Sequence, residues 1–385
     1  MHIVYLTHEY PKKGLNAGGI GSFVQFLARN LVKQNIRVSV IGINNESNDI
    51  VDFDGDISIY RLAKSNWKFR KFYDHTNRIL SKINDLDKEE SVNIVEGSEL
   101  NFSFFPKKTS YKKIIRLHGG HHFFSNELDK KPAIWRSFQE KKSFKKADGY
   151  IAVSDYVGRQ TQKYLHFKFK YSVIYNSIDT VRFHIADIHK LQQNTLLFVG
   201  TVCEKKGVRQ LVQAMPLIKK EIPSIKLKIV GRDLIDKNGK SYIAYLKSYI
   251  DSDLEENVQI IGSVPHSEIA KYIERAHLCV YPSHMEAMPI AWLEALSMGK
   301  TLIASDIGPG HETVINGVTG LLVNPFDVKG LASTIVEVLN NKNFDIYGKS
   351  AREDIVSRFN VDRIIAKNIQ YGNLKANNLD TLVKM

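Results

Sequence analysis

The chain has 385 residues, 43% hydrophobic and 25% charged, with a net charge of +13 at pH 7. That length exceeds what one hydrophobic core usually supports, so two domains are expected, and the apolar share excludes a disordered chain. No run approaches the length of a membrane span, and Cys203 and Cys279 form neither a metal-ligand spacing nor a disulfide framework.

Met1–His8 is a short apolar run with no basic region before it and no small-residue cleavage site after it. It reads as a first strand rather than a signal peptide, and a reducing, cytoplasmic setting is expected. Strand His2–Thr7 leads to the glycine loop Ala17–Gly21, then an amphipathic helix over Phe23–Gln34. Strands follow at Val38–Ile43, Ile57–Arg61, Asn93–Glu96, Lys113–His118 and Gly149–Val153, with the basic segments 64–90 and 130–147 helical between them. Strand–helix alternation of this kind implies a parallel sheet covered on both faces.

A second series begins near Thr195. Strands are expected at Leu196–Val199, Lys226–Val230, Val258–Ile261, Leu278–Tyr281, Thr301–Ala304 and Gly320–Val323, and helices at Val208–Ile222, Tyr242–Ser252 and Ser267–Ala276. The fold class is therefore α/β, with two doubly wound Rossmann-like domains facing across a ligand cleft at the carboxyl ends of both sheets. The domains are placed at residues 1–183 and 184–360, with a final helix over 361–385 packing back on the first. Charge divides unevenly between the halves: residues 1–185 carry net +11 and the remainder +2. The basic half calls for an anionic partner, whether nucleic acid, a membrane surface or an anionic substrate.

Several constellations carry chemistry. In Ser283–Gly299, Glu286 lies in a loop after an apolar strand, and Glu294 lies about two turns into the following helix. Pro289 suits the first helical turn, where its missing N–H costs nothing. The free N–H groups there face an anionic ligand, and the two carboxylates can grip hydroxyl-rich parts of it. On spacing alone, a surface helix with solvated glutamates fits equally well. Gly18-Gly19-Ile20-Gly21 follows strand one and suits either a close approach to an anion or a plain turn. Gly200–Gly207 repeats that geometry, with Lys205 or Lys206 placed to meet a phosphate as a point charge. His118 closes a strand beside two glycines, and with His121 and His122 it suggests metal only weakly. The aspartates at 52, 54, 56, 85, 87, 251 and 253 read as solvated loops rather than chelating pairs. Residues 64–73 interleave cations with Trp67, Phe69, Phe72 and Tyr73, which suits a peripheral membrane anchor, base stacking, or a helix packing its aromatics on the core.

Taken together these residues resemble a retaining glycosyltransferase of family 4, with the GT-B fold. The strongest part is 278–323: the Glu286/Glu294 pair, Gly299–Gly308, Glu312 and Asn316–Val323. The Gly-Gly loop, His118, Tyr175–Asp179 with Phe183, and the Lys-Lys-Gly loop support it. The resemblance implies that Glu286 holds the donor sugar's hydroxyls and Glu294 the ribose hydroxyls. Lys206 would neutralise the diphosphate, with the Gly19 and Ile20 amides approaching it, and His118 would contact the sugar. Thr201, Arg232, Val264, Met288, Pro289 and Ile290 complete the implied donor site. No cofactor and no metal are implied; the substrate is a nucleoside diphosphate sugar, UDP- rather than GDP-linked. The family often has Arg where this chain has Thr201, so a second cation on the diphosphate is either missing or comes from Arg209 or Arg232, and Pro289 stands where glycine is common.

The expected activity is hexose transfer with retention to a glycan or lipid-linked acceptor of surface polysaccharide synthesis, at the inner face of an anionic membrane. An epimerase or a sugar-phosphate-acceptor synthase on the same fold is the rival enzyme. A basic nucleic-acid-binding module is the rival from another class, but the basic half has no nucleic-acid-reading motif, and no nucleic-acid partner is expected.

Overall fold

The computed structural model describes residues 1–12, 19–65, 70–128, 130–341 and 345–377. Two units emerge: Met1–Asn176 together with residues from Asp362 on, and Ser177–Val361.

In the first unit the elements run β1 (His2–Leu6), α1 (Gly19–Val32), β2 (Arg37–Ile43), β3 (Ile50–Asp54), β4 (Ile57–Leu62), α2 (Lys71–Glu89), β5 (Ile94–Gly97), β6 (Lys112–Leu117), α3 (His121–Glu127), α4 (Ile134–Phe144), β7 (Gly149–Ala152), α5 (Asp155–Leu165) and β8 (Ser172–Val173). They form one eight-stranded sheet in the order β3-β4-β2-β1-β5-β6-β7-β8, parallel except for β3. Every residue of β1 is buried, as expected of a strand covered on both faces. Asp54-Gly55-Asp56 is a turn, as its composition suggests, but it closes a hairpin whose first strand, β3, is not among the strands expected from sequence. Asp52 and Asp54 are neither solvated nor chelating. Asp52 accepts from Arg61 at 2.6 Å, and Asp54 accepts from Tyr10, Gln25 and Arg29 at 2.8, 3.1 and 2.9 Å.

The second unit runs β9 (Thr195–Val199), α6 (Val208–Glu221), β10 (Lys226–Val230), α7 (Tyr242–Lys247), β11 (Val258–Gly262), α8 (Ile269–Arg275), β12 (Leu278–Tyr281), α9 (Ile290–Ser297), β13 (Leu302–Ser305), α10 (Gly310–Thr313), β14 (Leu321–Val323), α11 (Val328–Asn340) and α12 (Asp345–Arg358). Its six strands are all parallel, in the order β11-β10-β9-β12-β13-β14. The chain winds outward from β9 through β10 and β11, then crosses back to β12 and winds the other way. The β9/β12 boundary is thus a topological switch point, where loops from the two strand ends diverge and leave a crevice.

A last helix, α13 (Val361–Ala376), returns to the first unit. Its Asn368 accepts a hydrogen bond from Arg116 at 2.6 Å, while the same buried guanidinium grips Glu96 through two bonds of 2.6 and 3.1 Å. Burying a charge is costly, and the Asn368 bond offsets part of that cost alongside the Glu96 pair. Residues 378–385 of the expected terminal helix lie outside the described residues.

Candidate donor site

Two loops leave adjacent strands at the switch point: residues 200–207 after β9 and 282–289 after β12. The strands beneath them are in register, Leu196 with Leu278 and Leu197 with Cys279. Above the strands the loops touch. Gly207 has φ +67°, and a Cβ there would stand 1.7 Å from the Pro282 carbonyl oxygen, so only glycine permits this approach. The His284 N–H donates to the Lys205 carbonyl at 2.9 Å, a second tie between the loops.

This lacing brings Lys206 against Glu286. The ammonium donates to the carboxylate at 2.5 Å, and the Ser283 hydroxyl donates to the same oxygen at 2.9 Å. Both side chains are largely buried, with 23% of the lysine and 12% of the glutamate exposed, so water screens the pair less than it would an open surface pair. Ser283 was not singled out in the sequence, although it stands one helical turn's spacing before Glu286.

Helix α9 begins at Ile290. Pro289 is buried and extended at φ −79°, ψ 109°, one residue before the first turn rather than within it. Glu294 is the fifth residue of α9, so it stands just over one turn in rather than two. It is only 4% exposed and accepts from His266 Nε2 at 2.7 Å, which answers the solvated-helix reading directly. His266 follows β11 in the loop that also carries the half-buried Val264. Sequence spacing held no signal for His266; the order of the sheet brings it to α9. Met288 is buried, its sulfur 3.8 Å from the Thr313 hydroxyl, and Ile290 is half-buried.

Arg232 follows β10 and donates from Nε to the Thr201 hydroxyl at 3.3 Å, with the Val202 N–H bonded to the Arg232 carbonyl at 2.8 Å. Arg209 is committed elsewhere. It grips Glu204 at 2.6 and 2.9 Å and holds that carboxyl down at about 2, so Arg232 is the better placed second cation.

In the first unit, Gly19 and Ile20 are the first two residues of α1 rather than part of a loop ahead of it. Gly21 carries the steric demand: a Cβ there would fall 1.8 Å from the Glu9 carbonyl oxygen, whereas Gly19 faces open space. Gly18 lies outside the described residues. His118, just past β6, sets its ring edge-on to Phe23 of α1 at 5.0 Å and donates its backbone N–H to Glu99 at 2.8 Å. Burial, with Arg116 nearby, pushes its imidazole down to about 3, so it is neutral at ordinary pH. Burial pushes Glu99 the other way, up to about 8. His122 donates its N–H to the buried Glu140 at 2.9 Å and bonds it again through Nδ1, while His121 Nε2 accepts from the Ala133 N–H at 2.8 Å. The three histidines thus have separate partners, and among the described residues no group of three His, Cys, Asp or Glu is arranged to hold a metal.

The structure therefore pairs Lys206 with Glu286, Glu294 with His266 and Thr201 with Arg232 in the second unit, and sets His118 against α1 in the first. Against known families, residues 17–182 match Glycosyltransferase Family 4 and residues 182–354 match Glycosyl transferases group 1. The two matches adjoin, and together they support a glycosyltransferase of the family 4, GT-B type. Among curated relatives, glycogen synthase of Mycobacterium tuberculosis is 32% identical over 176 residues, 44% of this chain and 40% of that protein. The chain thus spans well under two thirds of the length of the first such relatives. Among solved structures, sucrose-phosphate synthase from Thermosynechococcus elongatus superposes with a TM-score of 0.82 at 22% identity, covering 98% of this chain and 99% of that one. Anabaena HepE, solved with UDP and glucose, superposes at 0.77 and 16% identity, over 96% and 99%. These likenesses establish the GT-B fold: two Rossmann-like domains, each built on a parallel sheet.

Proposed function

We propose that this chain is a family 4 glycosyltransferase that transfers a hexose-type sugar from a UDP-linked donor to a glycan or lipid-linked acceptor, with retention at the anomeric carbon. The observation that carries the reading is the Lys206–Glu286 pair at the β9/β12 switch point, with Glu294 buried in the adjoining helix. Nucleoside diphosphate sugars present two anionic phosphates between two hydroxyl-rich rings, and the loops and helix at this edge carry both cations and carboxylates. Lys206 and Arg232 meet the diphosphate in place of a metal, Glu286 takes the sugar hydroxyls and Glu294 the ribose. The implied contacts at Thr201, Val264, Met288 and Pro289 lie in the loops beside these groups, and Ile290 opens α9.

In the reaction the anomeric carbon–oxygen bond to the phosphate breaks as the acceptor hydroxyl attacks from the same face. The acceptor proton passes to the departing phosphate oxygen. No protein nucleophile is consumed, so catalysis rests on positioning and on stabilising the charge that gathers on the diphosphate. His118, neutral and held beside Phe23, contributes a hydrogen bond to the sugar rather than a charge. The choice of UDP draws support from HepE, whose structure holds UDP and glucose. The acceptor is assigned to the first domain, where the net +11 suits an anionic, pyrophosphate-bearing carrier.

A thermal-shift series with UDP, GDP and ADP, each with its sugars, tests the donor. UDP and one UDP-hexose should stabilise the protein most, and an equal response to all three bases would remove the base assignment. Incubating that donor without acceptor separates the rival: an isomerised donor means an epimerase.

A further inference from the structure

Helix α4 is built inside out. Its buried positions are mostly polar: Gln139, Glu140 and Ser143 face the interior along with Phe144. Ser143 and Glu140 are used there through their side chains, and Gln139 through its backbone carbonyl. The Ser143 hydroxyl accepts from the Phe102 N–H at 3.0 Å, the Gln139 carbonyl accepts from Ser103 at 2.9 Å, and Glu140 binds His122. Its other large apolar side chains face outward instead: Ile134 is 89% exposed, Trp135 50% and Phe138 51%. An ordinary surface helix turns its apolar stripe to the core.

The outward face continues onto α2. Phe72 and Tyr73 are each more than half exposed, and the Phe72 ring stands 6.5 Å from Trp135, which in turn stacks on Phe138 at 5.7 Å. Exposed cations flank the same stretches of chain: Arg70 and Lys71 at the start of α2, and Lys130, Lys131, Arg136 and Lys141 before and along α4. None of the six forms an ion pair among the described residues. The only acid of α4, Glu140, is fully buried and cannot offset them.

We propose that this face of α2 and α4 docks on an anionic phospholipid bilayer. Aromatic and branched side chains enter the interface while the flanking cations meet lipid phosphates, the composition expected of a peripheral anchor. A second copy of the chain is the poorer occupant, because two such cationic surfaces would repel. The surface differs from the anchor expected at 64–73: residues 66–69, which include Trp67 and Phe69, lie outside the described residues, and α4 supplies most of the apolar area.

Cosedimentation of the full chain tests it, without donor, so the outcome is separate from that of the transfer reaction. The protein should pellet with mixed phosphatidylglycerol–phosphatidylcholine vesicles and stay in the supernatant with phosphatidylcholine alone. Rising salt should release it. Arg136→Glu with Lys141→Glu should lower the partition coefficient by roughly fivefold or more per cation. Trp135→Ser with Phe138→Ser should lower it by at least as much, and unchanged thermal melting in both variants shows that the fold survives. Equal binding to both vesicle types, or unaltered binding by both variants, overturns the proposal. So does binding to oligonucleotides but not vesicles, which means a nucleic-acid surface, or self-association abolished by Trp135→Ser without vesicle binding, which means a second copy.

Discussion

Lys206 and Glu286 stand 80 residues apart in sequence and 2.5 Å apart in space. The lysine assigned to the donor's diphosphate is therefore already neutralised by the carboxylate assigned to the donor's sugar. Binding a diphosphate means exchanging one anion for another at the same ammonium. Glu286→Gln should accordingly bind UDP as tightly as the native protein or more tightly, while its kcat falls. Lys206→Ala should lose on the order of 10²–10³-fold in kcat, the usual effect of removing one group that stabilises developing charge. Calorimetry beside steady-state kinetics checks both; a Glu286→Gln protein that binds UDP more weakly and turns over normally contradicts the assignment.

Glu294 and His266 give a second separable effect. If Glu294 reads the ribose, Glu294→Ala should abolish discrimination between UDP and 2′-deoxy-UDP while leaving inorganic pyrophosphate binding unchanged. His266→Ala leaves the carboxylate in place without its 2.7 Å partner, and should change UDP affinity by about 1 kcal/mol, the worth of one hydrogen bond. Persistent discrimination in Glu294→Ala would remove the ribose role.

The glycines of α1 divide stability from function. Gly21→Ala would drive a Cβ to within 1.8 Å of the Glu9 carbonyl oxygen and should lower the melting temperature sharply. Gly19→Ala meets nothing within 4 Å and removes a glycine from a helix, a change that stabilises by up to ~1 kcal/mol. Should Gly19→Ala nonetheless raise the KM for donor, the close approach of its backbone to the ligand is supported. Native kinetics in that variant would leave Gly19 a purely structural residue.

Two buried groups in the first unit make stability depend on pH in opposite directions. Glu99 has its folded value raised from 4.5 to about 8, so its contribution is fully present below pH 4.5 and lost as pH rises toward 8. His118 has its value lowered from 6.5 to about 3, so its contribution is present above pH 6.5 and lost as pH falls toward 3. Glu99→Gln removes the first dependence. Its melting temperature, compared with that of the native chain, should rise steadily between pH 4.5 and pH 8; parallel curves would show that Glu99 does not hold its proton.

Much of the fold was legible in sequence because parallel strands buried on both faces are nearly continuous apolar runs. Leu278–Tyr281 is such a run, while Lys226–Val230 alternates lysine with apolar residues before it becomes continuous. Helix starts were harder to place: Gly19–Gly21 opens α1 although glycine favours loops, because Gly21 must admit the Glu9 carbonyl. Strand β3 is hard to read because Asp54 is held by Tyr10, Gln25 and Arg29, distant in sequence, and Asp52 by Arg61 across the hairpin. The site divided in the same way. Lys206, Glu286 and Glu294 stood in loops and helices of recognisable spacing, but Ser283 and His266 matter only through contacts that the sheet order creates. The outward face of α4 was also illegible: period alone marks an amphipathic helix and does not say which side meets the core.

Real-time proton NMR of donor turnover tests the central claim most directly, using the UDP-sugar that stabilises the protein most and letting water serve as slow acceptor. The account predicts that the first-formed sugar carries the α configuration of the donor and that Lys206→Ala slows its appearance. A β-configured first product, an isomerised donor, or a donor left intact would contradict it.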